Sequence, residues 1–121
     1  MSLRVGCVTM DARDCRNLGQ FWAAALGWRV VSDTDEGVYL VPQEVVSREP
    51  TIPGLLLFPC HDSKKVKNRV HLDLRPDDQA VEIERLEGLG ATRAMIGQTG
   101  AEPWVVMTDP EGNEFCVLAA R

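Results

Sequence analysis

Leu18, Phe21, Trp22, Ala25 and Leu26 recur at intervals of three and four, the spacing of one apolar face of an α-helix. Asp14 is placed to accept from the free amides at the start of that helix. Gly27, directly after the last periodic residue, can take the left-handed conformation that ends it. The pattern therefore predicts a helix over Cys15–Leu26. Ahead of it, residues 3–10 read as a strand. Beyond it, residues 28–31 and 38–41 read as two strands separated by a polar turn over 32–37, and residues 54–58 as a fourth, after a loop marked by Pro42, Pro50 and Pro53.

The same order then returns. Residues 69–75 predict a strand with Val70, Leu72 and Leu74 on one face, and Asp77 or Asp78 caps a second helix that Gly90 ends. Its apolar positions, Ala80, Ile83, Leu86 and Leu89, are spaced uniformly by three, so they drift around the helix and make a weaker stripe than the first. Residues 92–96, 103–108 and 114–118 supply three more strands, the last two joined by the turn Asp109-Pro110-Glu111-Gly112-Asn113. The expected fold is α+β: two tandem β-α-β-β-β modules with mixed sheets, at about residues 3–60 and 67–119 of a single domain spanning residues 1–121.

The duplication is visible in the letters too. Leu26-Gly27 and Leu89-Gly90 close the two helices 63 positions apart, while the preceding strands match at 64, pairing Cys7-Val8-Thr9-Met10-Asp11 with His71-Leu72-Asp73-Leu74-Arg75. Alternation turns Val8, Met10, Leu72 and Leu74 toward the helices. It leaves Cys7, Thr9, Asp11, His71, Asp73 and Arg75 on the opposite faces. Two such semi-polar faces are expected to curve into a cleft suited to a small molecule.

Composition narrows the partners. Of 121 residues 45% are hydrophobic, and 13 basic against 18 acidic side chains give a net charge of −5. With no basic run longer than Lys64-Lys65, neither nucleic acid nor an anionic membrane surface is an expected partner. No apolar stretch is long enough to span a membrane, and residues 1–10 lack the pattern of a secretory signal, so a cytoplasmic location is expected. The four cysteines, Cys7, Cys15, Cys60 and Cys116, are scattered without a Cys-x-x-Cys pair. They read as buried, reduced, small apolar residues rather than a disulfide framework or zinc ribbon.

Phe21-Trp22 with Leu26-Gly27-Trp28, the run Asn68-Arg69-Val70-His71-Leu72-Asp73-Leu74, Leu89-Gly90-Ala91, and the run from Asp109 to Cys116 together resemble the vicinal oxygen chelate superfamily, and within it the small glyoxalase-like branch. That superfamily includes glyoxalase I, bleomycin-resistance proteins and extradiol dioxygenases. The resemblance implies paired modules around a cavity, a homodimer and, in the enzymes, a divalent metal that chelates two neighbouring substrate oxygens. Carried onto this chain, the metal-ligand positions of the first, fourth, fifth and last strands fall on Cys7, near Leu57, on His71 and on Cys116.

Only His71 is of the expected type. The chain has two histidines, His61 and His71, and no carboxylate over residues 54–60, so the His/Glu/His/Glu centre of glyoxalase I cannot be assembled and that activity is not expected. Glu114 shares a strand face with Cys116 but stands about 7 Å further along, a poor geometric replacement. No metal cofactor is therefore expected. Should a divalent metal be bound, Cys7, His71 and Cys116 offer sulfur and imidazole suited to zinc.

His71 and Asp73 are the candidate catalytic pair, an imidazole acid or base tuned by a carboxylate, with Arg75 able to clamp an anion. The same three residues can equally form a self-satisfying charge network. Thr9, Asp11, Arg75, Trp104 and Glu114 are the candidate ligand-binding residues, Trp104 lining the cleft mouth or simply packing. His61 is expected to be exposed, and the loop over residues 46–53 has the length of a lid or subunit contact. The expected function is a glyoxalase-like small-molecule-binding protein, metal-independent, in the manner of drug-sequestering resistance proteins. The alternatives are a lyase, isomerase or dioxygenase-type enzyme using His71, with or without a divalent metal, and an accessory partner of another enzyme.

Overall fold

The computed structural model describes residues 2–43 and 52–121. The expected lid over 46–53 thus lies, in its residues 46–51, outside the described residues. The chain divides into two compact units, Met1–Ser63 and Lys64–Arg121. Each holds one four-stranded mixed sheet and one helix, an α+β fold of β-α-β-β-β order repeated.

In the first unit, β1 (Cys7–Ala12), α1 (Cys15–Leu26), β2 (Arg29–Thr34), β3 (Gly37–Val41) and β4 (Gly54–Pro59) form a sheet of order β1-β4-β3-β2. β1 and β4 run parallel and the other pairs antiparallel. The helix forms where its caps allow. Asp14 accepts from the Asn17 amide at 3.0 Å, and Gly27, at φ 67°, donates its amide to the Ala23 carbonyl. Leu18, Phe21 and Trp22 are buried on its inner face, and the Phe21 and Trp22 rings meet edge to face at 5.1 Å. α1 crosses β3 so closely that a Cβ at Gly19 would stand 2.8 Å from Val38 Cγ1, which requires the glycine there.

The first strand starts at Cys7 rather than residue 3: its parallel partner begins at Gly54, and Leu3 and Val5 are exposed. The polar stretch 32–37 is not all turn. Ser32, Asp33 and Thr34 continue β2 past a bulge and pair with Tyr39, Val38 and Gly37, so only Asp35 and Glu36 turn the hairpin.

In the second unit, β5 (Leu72–Leu74), α2 (Gln79–Leu89), β6 (Thr92–Arg93), β7 (Val105–Thr108) and β8 (Glu114–Val117) form a sheet of order β5-β8-β7-β6 with β5 and β8 parallel. Asp78, not Asp77, caps α2 by accepting from the Val81 amide at 3.2 Å, and Gly90 closes it at φ 117°. The drifting stripe narrows as its spacing implies: Ile83 and Leu86 are buried, Ala80 and Leu89 exposed. Val70 does not join Leu72 and Leu74 on an inner face. It precedes the three-residue strand and is 78% exposed. β6 stops at Arg93, beyond which Met95 and Ile96 are exposed. Residues 99–102 turn around the Glu102 carboxylate, which accepts from the Thr99 and Gly100 amides. No helix among the described residues is long and apolar enough to cross a membrane.

Candidate functional site

The parallel pairing of β5 and β8 sets Asp73 directly beside Cys116. Alternation along the chain brings His71 to the same side as Asp73, and His71 Nδ1 lies 3.1 Å from Asp73 Oδ1. One donor atom each from His71, Asp73 and Cys116 lies within 4.8 Å of the others. Cys116 is buried, while His71 and Asp73 remain open to solvent. Burial pushes the Cys116 thiol above its usual range, and the charge of Asp73 and a side-chain hydrogen bond with it act in the same direction, against a smaller pull from Lys67. A thiol raised above its usual range stays protonated at physiological pH, and Asp73 stands between Cys116 and His71.

Arg75 does not complete a three-residue charge network. Its Nη1 donates to the Ala119 carbonyl at 2.6 Å, tying the end of β5 to the segment after β8. Glu114, expected along the ligand-binding face, is a buried anchor. Its carboxylate meets Lys64 Nζ at 2.6 Å and accepts from the Asn68 amide at 2.6 Å. Asn68 Nδ2 donates in turn to Asn113 Oδ1, whose own amide donates to Asp109. Burial alone would raise the Glu114 pKa; the hydrogen bond from Lys64, the Asn68 amide and the lysine charge outweigh it and hold the carboxyl below its usual range. Lys64 and Asn68 carry no local pattern that marks them, since their partners lie 50 and 46 positions away.

The first unit presents a different open face. Thr9 pairs with Leu56, Asp11 with Phe58, and Tyr39 with Leu56, so these residues share one side of the sheet with Cys7, whose sulfur lies 3.7 Å from Thr9 Oγ1. The Tyr39 ring lies over Gly54, where a Cβ would stand 2.6 Å from Cζ. Ser32, Thr34, Leu56, Phe58, Asp35 and Glu36 line much of a shallow groove of about 570 Å³. Leu57, the residue nearest the fourth-strand ligand position, points the other way and is wholly buried; its neighbours on the open face are Leu56 and Phe58. Of the cysteines, all free, only Cys116 is buried; Cys7 is exposed and Cys15 and Cys60 are half-buried, which corrects the expectation of four buried thiols. Trp104, just before β7, is 42% exposed, and His61 is exposed.

Two β-α-β-β-β units, each with a parallel pair that exposes polar side chains opposite its helix, define the architecture of the glyoxalase/bleomycin resistance/dioxygenase superfamily. The chain belongs to the glyoxalase-like domain family, whose model matches residues 7–118.

Solved structures agree in fold. A glyoxalase/bleomycin resistance protein/dioxygenase family enzyme from Burkholderia phytofirmans PsJN is similar at TM-score 0.71 and 15% identity, over 95% of this chain and 97% of that one. A variant of the fosfomycin resistance protein FosX from Listeria monocytogenes, complexed with Mn(II) and 1S,2S-dihydroxypropylphosphonic acid, is similar at TM-score 0.73 and 12% identity, over 100% and 93%. A bleomycin-binding protein complexed with bleomycin gives TM-score 0.63 and 16% identity, over 98% and 100%. No curated protein matches the chain significantly in sequence.

The donor set does not fit the metal centre that the family resemblance implies. Its four strand positions carry Cys7, an apolar β4 residue, His71 and Cys116, and the nearby carboxylate of Glu114 is held by Lys64. A hard cation that prefers oxygen and imidazole finds one conventional ligand among them.

Proposed function

We propose that this protein is a cytoplasmic, homodimeric small-molecule-binding member of the glyoxalase-like family, not a glyoxalase I, and that it binds its ligand without the usual His/Glu metal centre. The observation that carries this reading is the chemistry at the four strand positions: a thiol, an apolar side chain, an imidazole and a second thiol, the last beside Asp73 on the neighbouring strand. In this reading Thr9 and Asp11 on β1 supply polar contacts, Arg75 meets an anionic group and Trp104 stacks on a flat one. Neighbours of the same fold hold bleomycin and a phosphonate, so these two compounds are the first probes.

The test is a calorimetric titration of the full chain with bleomycin, dihydroxypropylphosphonic acid and a set of aromatic cations and anions, each with and without EDTA, at a protein mass fixed by native mass spectrometry. Binding that persists in EDTA and weakens at least fivefold in Trp104→Ala or Arg75→Ala supports the reading. Binding abolished by EDTA and restored by Mn(II) or Ni(II), or turnover of a glutathione hemithioacetal, contradicts it.

The His71–Asp73 hydrogen bond favours a second reading, an enzyme in which His71 exchanges a proton with the substrate and Asp73 holds its tautomer. Its mark would be a turnover lost in His71→Gln with ligand affinity retained.

A further inference from the structure

We propose that His71, Asp73 and Cys116 form a zinc-type cation site with one nitrogen, one oxygen and one sulfur ligand and with a coordination position left open toward solvent. All three belong to one unit, His71 standing immediately before β5, and the β5–β8 register that makes Asp73 and Cys116 Cα partners fixes two of the three ligands. Their donor atoms stand within 4.8 Å of one another. Ligands around a tetrahedral zinc ion at about 2.0–2.3 Å are separated by about 3.3–3.8 Å. The contraction required is of the order of an ångström, within reach of rotation by His71 and Asp73, whose side chains are 35% and 50% exposed.

Charge and softness select the ion. A thiolate and a carboxylate together neutralise a dication, which matters at a residue as buried as Cys116. Thiolate and imidazole suit zinc and cobalt, whereas magnesium, calcium and manganese prefer oxygen. On binding, the sulfur–metal bond replaces the S–H bond, whose proton leaves to solvent, and the Asp73 oxygen exchanges its hydrogen bonds for the ion; no electron is transferred. Three protein ligands with one open position is the arrangement of a site that binds a further ligand oxygen, not of a closed structural one. The site differs from the usual centre in composition and in drawing on the second unit alone, through His71 just before β5, Asp73 on β5 and Cys116 on β8, and it stands or falls independently of whether bleomycin or a phosphonate binds.

The experiment is titration of the full, chelator-stripped chain with Co(II), read by the thiolate-to-cobalt charge-transfer absorption and by the intense visible bands of tetrahedral cobalt. We expect one cobalt per chain, displaced by Zn(II) and not by Mn(II) or Mg(II). Cys116→Ser should lose the charge-transfer band. Because Cys116 is buried, the exposed-site variants His71→Ala and Asp73→Asn carry the test if that variant fails to fold, and each should weaken binding at least tenfold. No cobalt binding, cobalt bound without the charge-transfer band, or affinities within twofold of the parent in His71→Ala and Asp73→Asn would overturn the proposal and leave the His71–Asp73 hydrogen bond only.

Discussion

The two units share an element order and a sheet topology and differ in what each sheet turns away from its helix. β1, β3 and β4 present Thr9, Tyr39, Leu56 and Phe58, a hydroxyl among aromatic and aliphatic groups. At the matching parallel pair of the second unit, Asp73 stands where Thr9 does and Cys116 where Leu56 does. The inner faces behave the other way. Both are apolar, and both helices start on an aspartate cap and end on a positive-φ glycine. Buried stripes and caps set the topology, so the open positions are free to diverge, and chemistry concentrates in one copy.

The helices also differ in how much they bury, and this gives the largest expected effect. α1 carries fully buried Trp22 and Leu18, whereas α2 buries only Ile83 and Leu86. Trp22→Ala should cost about 3–5 kcal/mol in urea unfolding and Ile83→Ala less, about 2–3 kcal/mol. Equal losses would show that the second helix is held as firmly as the first.

The next effect sharpens the polar side of the comparison. The Lys64–Glu114 pair of the second unit has side chains only 19% and 7% exposed. Glu114→Gln strands a lysine charge and should cost about 2–4 kcal/mol. The sign with pH follows from the lowered Glu114 pKa: its contribution is fully present above the usual carboxylate value of 4.5 and is lost as pH falls below it through the folded value. Parent and Glu114→Gln stabilities should therefore converge between pH 4.5 and lower values, and parallel curves there would remove Glu114 as the cause. The smallest effect belongs to the solvent-exposed Arg16–Asp33 pair of the first unit, 3.0 Å apart. Arg16→Ala should leave the unfolding midpoint unchanged, and a clear shift would mean that the pair does more than a surface contact can.

Much of this was legible in the letters. Period and caps gave α1 to the residue, and alternation assigned Cys7, Thr9 and Asp11 to one face and His71, Asp73 and Arg75 to another. Other features were not, for physical reasons. Residues 54–58 read Gly-Leu-Leu-Leu-Phe, an apolar run without alternation, so nothing local said that Leu57 faces the core and Leu56 the open side. Strand ends at Cys7 and Leu72 depend on where partners begin, not on their own sequence. The Lys64–Asn68–Glu114 anchor and the meeting of Asp73 with Cys116 depend on a pairing register that joins residues more than 40 positions apart.

The most direct test of the central claim, that His71, Asp73 and Cys116 and not a His/Glu set hold a cation, is native mass spectrometry of the stripped chain offered equimolar Zn(II), Ni(II) and Mn(II). The account predicts one zinc per chain, lost in Asp73→Asn, with manganese and nickel left free. One manganese or nickel per chain, retained in Asp73→Asn, would contradict it.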